Sequence, residues 1–248
     1  MSCYNASNIV GYALEDIEEF SDDRQKGWCV HCGASITASS TNWDHVPTKG
    51  LLDRPLPPHV PQVEVCSSCN NGFSLDEEYF VTFLSCVFSG STDPASQISP
   101  KVQRALERNP ALRARLAAAH KTYTTVGGAA KSVWQPELER IRRIVLKNAR
   151  GHGFYEFGEP MLEEPDFIAV MPLQSLNDEQ RIDFENVAMD VWPEVGSRMM
   201  TRFITGQDMQ GGWVVVQDAV YRYAVFQEGT LTVRSVIREY LATEVRWD

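Results

Sequence analysis

The sequence predicts an α+β protein with a metal-stapled N-terminal module, a basic helical middle segment and an antiparallel, β-rich C-terminal part. Three observations carry this reading. Two Cys-x-x-Cys pairs, Cys29/Cys32 and Cys66/Cys69, stand 33 residues apart. Apolar residues recur at helical spacing over 101–120 and 136–150. From about residue 154 the chain breaks into short β-branched and aromatic runs separated by Gly, Pro, Asp and Asn. The expected segments are 1–28, acidic; 29–90, the stapled module; 91–153, basic and helical; and 154–248, β-rich.

Taken in order, GYALEDIEEFSD at 11–22 reads as a short acidic helix. Prolines 47, 55, 57, 58 and 61 argue against any helix between the cysteine pairs. A helix is expected from Cys69 or Asn70, broken at Gly72 and restarted at Ser74, where Ser74 and Glu77 have capping-box spacing. Its continuation, YFVTFLSCVF, is apolar nearly all round and should be buried, with Cys86 acting as a small hydrophobe. Residues 90–100 form a connector. In the helix at 136–150, Pro136 suits the first turn, Leu138, Ile141, Val145 and Leu146 make a stripe, and Gly151 and Gly153 should end it. FYEFG, DFIAVMPL, SRMMTRFITG, GWVVVQDAVYRYAVFQ and LTVRSVIREYL are expected strands, with turns at Gln217-Asp218 and Glu228-Gly229 and one short helix near 178–189.

The chain has 248 residues, 43% hydrophobic and 23% charged, an ordinary balance for a globular protein that buries a core. No apolar run is long enough to span a bilayer, and the acidic start lacks the basic and apolar blocks of a secretory signal, so a cytoplasmic location is expected. The net charge of −10 opposes binding to a polyanion. Yet residues 101–150 hold twelve cations against three anions, enough for a positive face on an acidic protein. The alternative is a pair of amphipathic helices whose cations only meet water.

Four thiolates in two Cys-x-x-Cys turns suit a tetrahedral Zn²⁺, and a site with four protein ligands is closed and therefore structural. Four reduced, metal-free cysteines are the alternative. Between the pairs stands Asn42-Trp43-Asp44-His45-Val46-Pro47, and directly after the second comes Asn70, followed by Asn71, Phe73, Ser74, Asp76, Glu77 and Glu78.

Over these 50 or so residues the chain resembles the zinc-containing branch of the HNH, or ββα-metal, endonucleases. There one Cys-x-x-Cys precedes an Asp-His-x-x-Pro strand, and a second is followed at once by His or Asn. The resemblance implies a treble-clef-like ββα module. It makes His45 the general base that activates water, with Asp44 and Asn70 as ligands of a catalytic Mg²⁺ or Mn²⁺. Gln62 stands where the family has its middle Asn and would orient His45 through its carbonyl. The implied reaction is hydrolysis of a phosphodiester bond to 5′-phosphate and 3′-hydroxyl ends. By the same analogy, since small bacterial HNH proteins with an extra domain often act in defence against foreign DNA or in mobile elements, the resemblance implies such a role as an expectation. The residue chemistry agrees with these roles: an imidazole can take a proton near neutral pH, and a hard cation on oxygen ligands can bind phosphate.

DNA is the expected partner, with RNA second. Lys49, Arg140, Arg142, Arg143 and Lys147 are the expected phosphate contacts. His31 in the first knuckle is expected to be exposed, His59 to be a loop residue, a substrate contact or a metal ligand, and His120 and His152 to have no catalytic role. Trp213, Tyr221, Tyr223 and Phe226 are read as sheet core, or else as a surface that stacks bases or meets a protein partner or a second copy of the chain. A non-catalytic zinc-dependent binding module and a protein-interaction scaffold are the competing functions.

Overall fold

The computed structural model describes residues 14, 16–18, 26–37, 40–187, 191–227, 229 and 231–247. Most of the expected acidic helix at 11–22, and Glu228 of one expected turn, lie outside the described residues. No helix among the described residues is long and apolar enough to cross a membrane.

The fold is mixed helix and sheet, and it begins with the cysteine-bearing loop. Cys29 to Gly33 form a tight turn in which the Gly33 amide donates to the Cys29 carbonyl at 2.8 Å. Gly33 has φ +68°, a left-handed conformation that glycine adopts without a Cβ clash. Strand β1 (Thr41–His45) pairs antiparallel with β2 (Gln62–Cys66) in an unbroken register, His45 opposite Gln62 and Asp44 opposite Val63. β2 runs directly into α1 (Ser67–Ser89).

The expected break at Gly72 does not occur: α1 continues through it. Its cap is Cys66, whose sulfur accepts from the Cys69 amide at 3.4 Å. Ser74 instead donates to the Asn71 carbonyl within the helix. A mid-helix glycine costs only about 1 kcal/mol, and the burial of Tyr79, Phe80, Phe83, Leu84 and Cys86 outweighs it. Gly90 (φ +66°) closes the helix in the left-handed conformation.

The expected helix at 101–120 is two helices, α2 (Pro100–Arg108) and α3 (Pro110–Ala119). Pro110 cannot continue α2, and Asn109 ends one helix while its side chain accepts from the Leu112 amide at 3.0 Å to cap the next. A small hairpin, β3 (His120–Thr124) and β4 (Ala130–Trp134), follows and was not expected. Helix α4 (Leu138–Phe157) then runs well past Gly151 and Gly153, so FYEFG is its last turn and not a strand.

The two glycines are contact points rather than stops. A Cβ on Gly151 would lie 2.5 Å from Cγ2 of Val46, just beyond β1, and one on Gly153 would lie 3.0 Å from Leu231.

The remaining chain forms β5 (Phe167–Pro172), α5 (Asp178–Glu185), α6 (Arg198–Thr205), β6 (Met209–Gln210), β7 (Trp213–Gln217), β8 (Tyr221–Gln227), β9 (Leu231–Ile237) and β10 (Leu241–Trp247). The strands make one antiparallel sheet ordered β5-β10-β9-β8-β7-β6. SRMMTRFITG, expected as a strand, is α6: Ser197 caps it, and Met199 and Arg202 bury one face three residues apart. α5 carries a full capping box from Asn177 and Gln180.

Both faces of the sheet are covered. Tyr221, Tyr223, Val225, Val233 and Val245 join a core shared with α1 to α4. Ala224, Phe226, Trp213 and Val236 pack with Phe184 of α5 on the other face. That is why β8 reads as a nearly continuous apolar run. Its aromatics are core and do not offer free faces to a ligand.

A buried polar group crosses that core. Arg202 donates to Glu156 at 3.1 and 3.2 Å and to Asp208 at 2.7 Å, and the Tyr223 hydroxyl also donates to Glu156. Beside it, His152 is fully buried, 3.7 Å between ring centres from Tyr223, with Nε2 3.0 Å from the Tyr221 hydroxyl. Burial, helped by Arg202, holds the His152 imidazole well below its ordinary pKa.

Two predictions follow from this packing. Alanine at Gly151 should destabilise the protein by about 1–3 kcal/mol, although helix propensity alone favours it, because its methyl overlaps Val46. Val46→Ala in the same chain should recover most of that loss in urea unfolding; additive effects would remove the explanation. The unfolded chain protonates His152 below pH 6.5 while the folded chain does not, so its contribution is intact above that pH and is lost as pH falls. The slope amounts to about 1.4 kcal/mol per pH unit for one proton. His152→Gln should flatten the pH dependence of stability below pH 6.5 by that amount.

Candidate metal centre and adjoining cleft

The sulfurs of Cys29, Cys32, Cys66 and Cys69 all lie within 4.8 Å of one another, and together they could hold a metal such as zinc. A tetrahedral ion with bonds of about 2.3 Å keeps its sulfurs about 3.8 Å apart. Cys32 and Cys66 are 3.8 Å apart. Burial pushes the Cys29 and Cys69 thiols up, so a bound cation is what would hold the cluster as thiolates. The local fold supplies the geometry: the first pair sits on the Gly33 turn, and the second spans the end of β2 and the first turn of α1. Val30, Ile36, Val46, Val63, Val65 and Tyr155 form a small apolar cluster around them.

Beside the cluster opens a cleft of about 700 Å³. Asp44, His45, Asn70 and Lys49 all line it, so four residues singled out in the sequence meet at one surface. Alternation along β1 turns Asp44 inward, while His45 and the exposed Trp43 belong to the opposite face. No register shift alters this.

Gln62 lies across from His45 but is exposed. His45 Nδ1 is buried without a hydrogen-bond partner, so it does not donate to the Gln62 carbonyl as expected. Burial, with the Lys49 ammonium nearby, pushes the His45 imidazole down to about 4, leaving it neutral at pH 7.

Asp44 is not free. Lys147 lies 3.0 Å from Oδ1 and 2.9 Å from Oδ2, and it also donates to Thr48 at 3.2 Å and to Glu77. His31, expected to be exposed, is buried with Nε2 3.7 Å from Asp44 Oδ2 and its ring against Phe73. Burial pushes the Asp44 carboxyl up, but His31 and the Lys147 ammonium outweigh it and hold the group below the usual carboxylate range. Breaking a buried pair of this kind costs about 3–5 kcal/mol, because it leaves the other charge uncompensated.

The expected phosphate contacts divide. Lys49 is exposed on the cleft wall. Arg140 and Arg143 both bind Asp76, Arg143 at 2.7 Å, and Arg142 binds Glu139 at 3.1 Å. Asp76 and Glu77 therefore serve α4, not the α1 dipole; the helix starts too far upstream for the latter.

Residues that sequence reasoning passed over complete this region. Thr48 bonds Asn148 of α4, the Arg150 guanidinium donates to the His31 carbonyl at 3.3 Å, and Lys101, Arg104 and Arg108 of α2 face the cleft. The twelve-cation run included the last three, but their position opposite β1 has no local signal.

Removing the metal should be structural in effect. The anaerobically purified chain is expected to hold one zinc, and Cys66→Ser should lose it and lower the melting temperature, whereas Cys86→Ala should keep it. Metal content and melting temperature measured together check this, and an unchanged melting temperature on zinc loss would refute a stapling role. Compared with protein-family models, curated proteins and solved structures, the chain matches none.

Proposed function

We propose that the chain hydrolyses phosphodiester bonds in nucleic acid, as an HNH-like endonuclease on a treble-clef-like zinc module, with DNA the first candidate substrate and RNA the second. The observation that carries this reading is the meeting of Asp44, His45, Asn70 and Lys49 on one cleft beside the four-cysteine cluster. In the proposed step the neutral His45 imidazole takes a proton from water as the water oxygen bonds to phosphorus. The bond from phosphorus to the 3′ oxygen breaks, and that oxygen takes a proton from solvent. Lys49 and the Asn70 amide can meet the phosphoryl oxygens. The zinc cluster has no open position and would hold β1 and α1 in place.

The divalent ion implied by the resemblance has Asp44 and Asn70 as its candidate ligands. With both Asp44 oxygens within 3.0 Å of the Lys147 ammonium, that donor set does not fit a dication as it stands. The same ion pair favours a second reading, a zinc-dependent nucleic-acid-binding module without hydrolysis.

Nicking of supercoiled plasmid, in Mg²⁺, in Mn²⁺ and without added metal, separates the two. The wild-type chain should nick, and His45→Ala should slow nicking about 100-fold or more while zinc and melting temperature are retained. Salt-sensitive binding without nicking under every condition would favour the binding module. Equal nicking by His45→Ala would remove His45 from the chemistry.

A further inference from the structure

We infer that the cleft takes one unpaired strand of nucleic acid, with phosphates on Lys101, Arg104 and Arg108 of α2 and a base stacked on Trp43. This rests on the reading of the cleft as a nucleic-acid site and specifies the form of the ligand.

The first observation is where uncommitted positive charge lies. Residues 101, 104 and 108 form one stripe of α2, exposed to the cleft, while Val102 and Leu106 bury the other side. None of the three has a carboxylate partner among the described residues. Their neighbours in sequence differ: Arg113 pairs with Asp93, Arg115 with Glu137, and Arg140 and Arg143 with Asp76. Lys49 adds a further cation to the lining. The acidic groups of the cleft are largely spoken for, since Asp44 and Glu77 share Lys147, leaving Glu78. A stripe of unpaired cations along a groove is the form that tracks a phosphate backbone.

The second observation is Trp43. Its side chain is 64% exposed, although indole is among the side chains that gain most from burial. It lines the cleft on the His45 face of β1, two residues from that imidazole. An indole there can stack only on a base whose face is free. In a duplex the neighbouring bases occupy those faces, so a partner for Trp43 must be unpaired or splayed out. The cleft volume of about 700 Å³ agrees, being in the range that encloses a small ligand, or a few nucleotides of one strand.

The test is fluorescence anisotropy with the zinc-loaded full chain and no added divalent metal. The probes are a labelled 12-nucleotide single strand as DNA, the same sequence as RNA, and the DNA strand annealed to its complement. A single strand should bind at least tenfold more tightly than the duplex; whether the deoxy or the ribo strand does so tells which sugar the cleft takes. Trp43→Ala should weaken single-strand binding about tenfold and Trp43→Phe by less, with zinc content and melting temperature unchanged, since stacking contributes about 1–3 kcal/mol per base. The triple change Lys101→Ala, Arg104→Ala, Arg108→Ala should reduce the slope of log affinity against log salt by about 2, at about 0.7 per phosphate on single strands. Equal affinity for duplex, no loss in Trp43→Ala, or an unchanged salt slope overturns the inference. Binding of the expected pattern without hydrolysis would remove the hydrolase and leave the cleft assignment, and hydrolysis with duplex-preferring binding would do the reverse.

Discussion

Helix α4 packs so closely on the Val46 side chain, just beyond β1, that a Cβ at the point of contact would overlap it, and the knuckle, the cleft and the sheet core all meet that helix. At Gly151 the helix backbone meets Val46 directly. One turn earlier Lys147 reaches Asp44, Asn148 reaches Thr48, and Arg150 holds the His31 carbonyl of the knuckle. Further along, Gly153 lies against Leu231 of β9, Tyr155 packs into the apolar cluster around the cysteines, and Glu156 pairs with the buried Arg202 of α6. A single helix thus joins the cysteine cluster, the cleft and the sheet core. Its packing is a rigid constraint because protein interiors transmit small displacements rather than absorb them.

Electrostatics at this joint explain an otherwise puzzling charge distribution. The basic run at 101–150 looks like one positive surface in sequence, but it does two jobs. On α4, Arg140, Arg143 and the buried Lys147 neutralise Asp76, Asp44 and Glu77 where α1 and β1 bring carboxylates against the helix. On α2 the cations face the cleft without carboxylate partners among the described residues. The paired cations hold the frame, and the unpaired ones remain available to a polyanion. The arrangement also reconciles a net charge of −10 with a locally positive groove.

The cleft brings together groups with different environments. His45 is partly exposed and neutral, Asp44 is buried and charged because Lys147 and His31 keep it so, and Asn70 sits just past the last cysteine in the first turns of α1. Its edges, Trp43 and Leu75, are apolar and exposed. Such a surface suits a ligand that has both a charged backbone and flat apolar faces.

The sequence by itself determined what depends on local chemistry: the Cys-x-x-Cys turns, the alternation of β1, the burial of YFVTFLSCVF, the short helix near 178–189, and most strands of the sheet. The resemblance to the HNH nucleases singled out Asp44, His45 and Asn70, and the structure shows only that all three line one cleft. The sequence pattern misleads at Gly72, Gly151 and Gly153, which read as breaks, and over SRMMTRFITG, which reads as a strand. In those places long-range packing outweighs a propensity of about 1 kcal/mol. Only the tertiary structure decided that Lys147 belongs to Asp44, that His31 is buried, and that α2 faces β1. Those pairings join residues up to 119 positions apart. A buried ion pair or a close helix–strand approach depends on which surfaces meet, and no pattern within either segment encodes its partner.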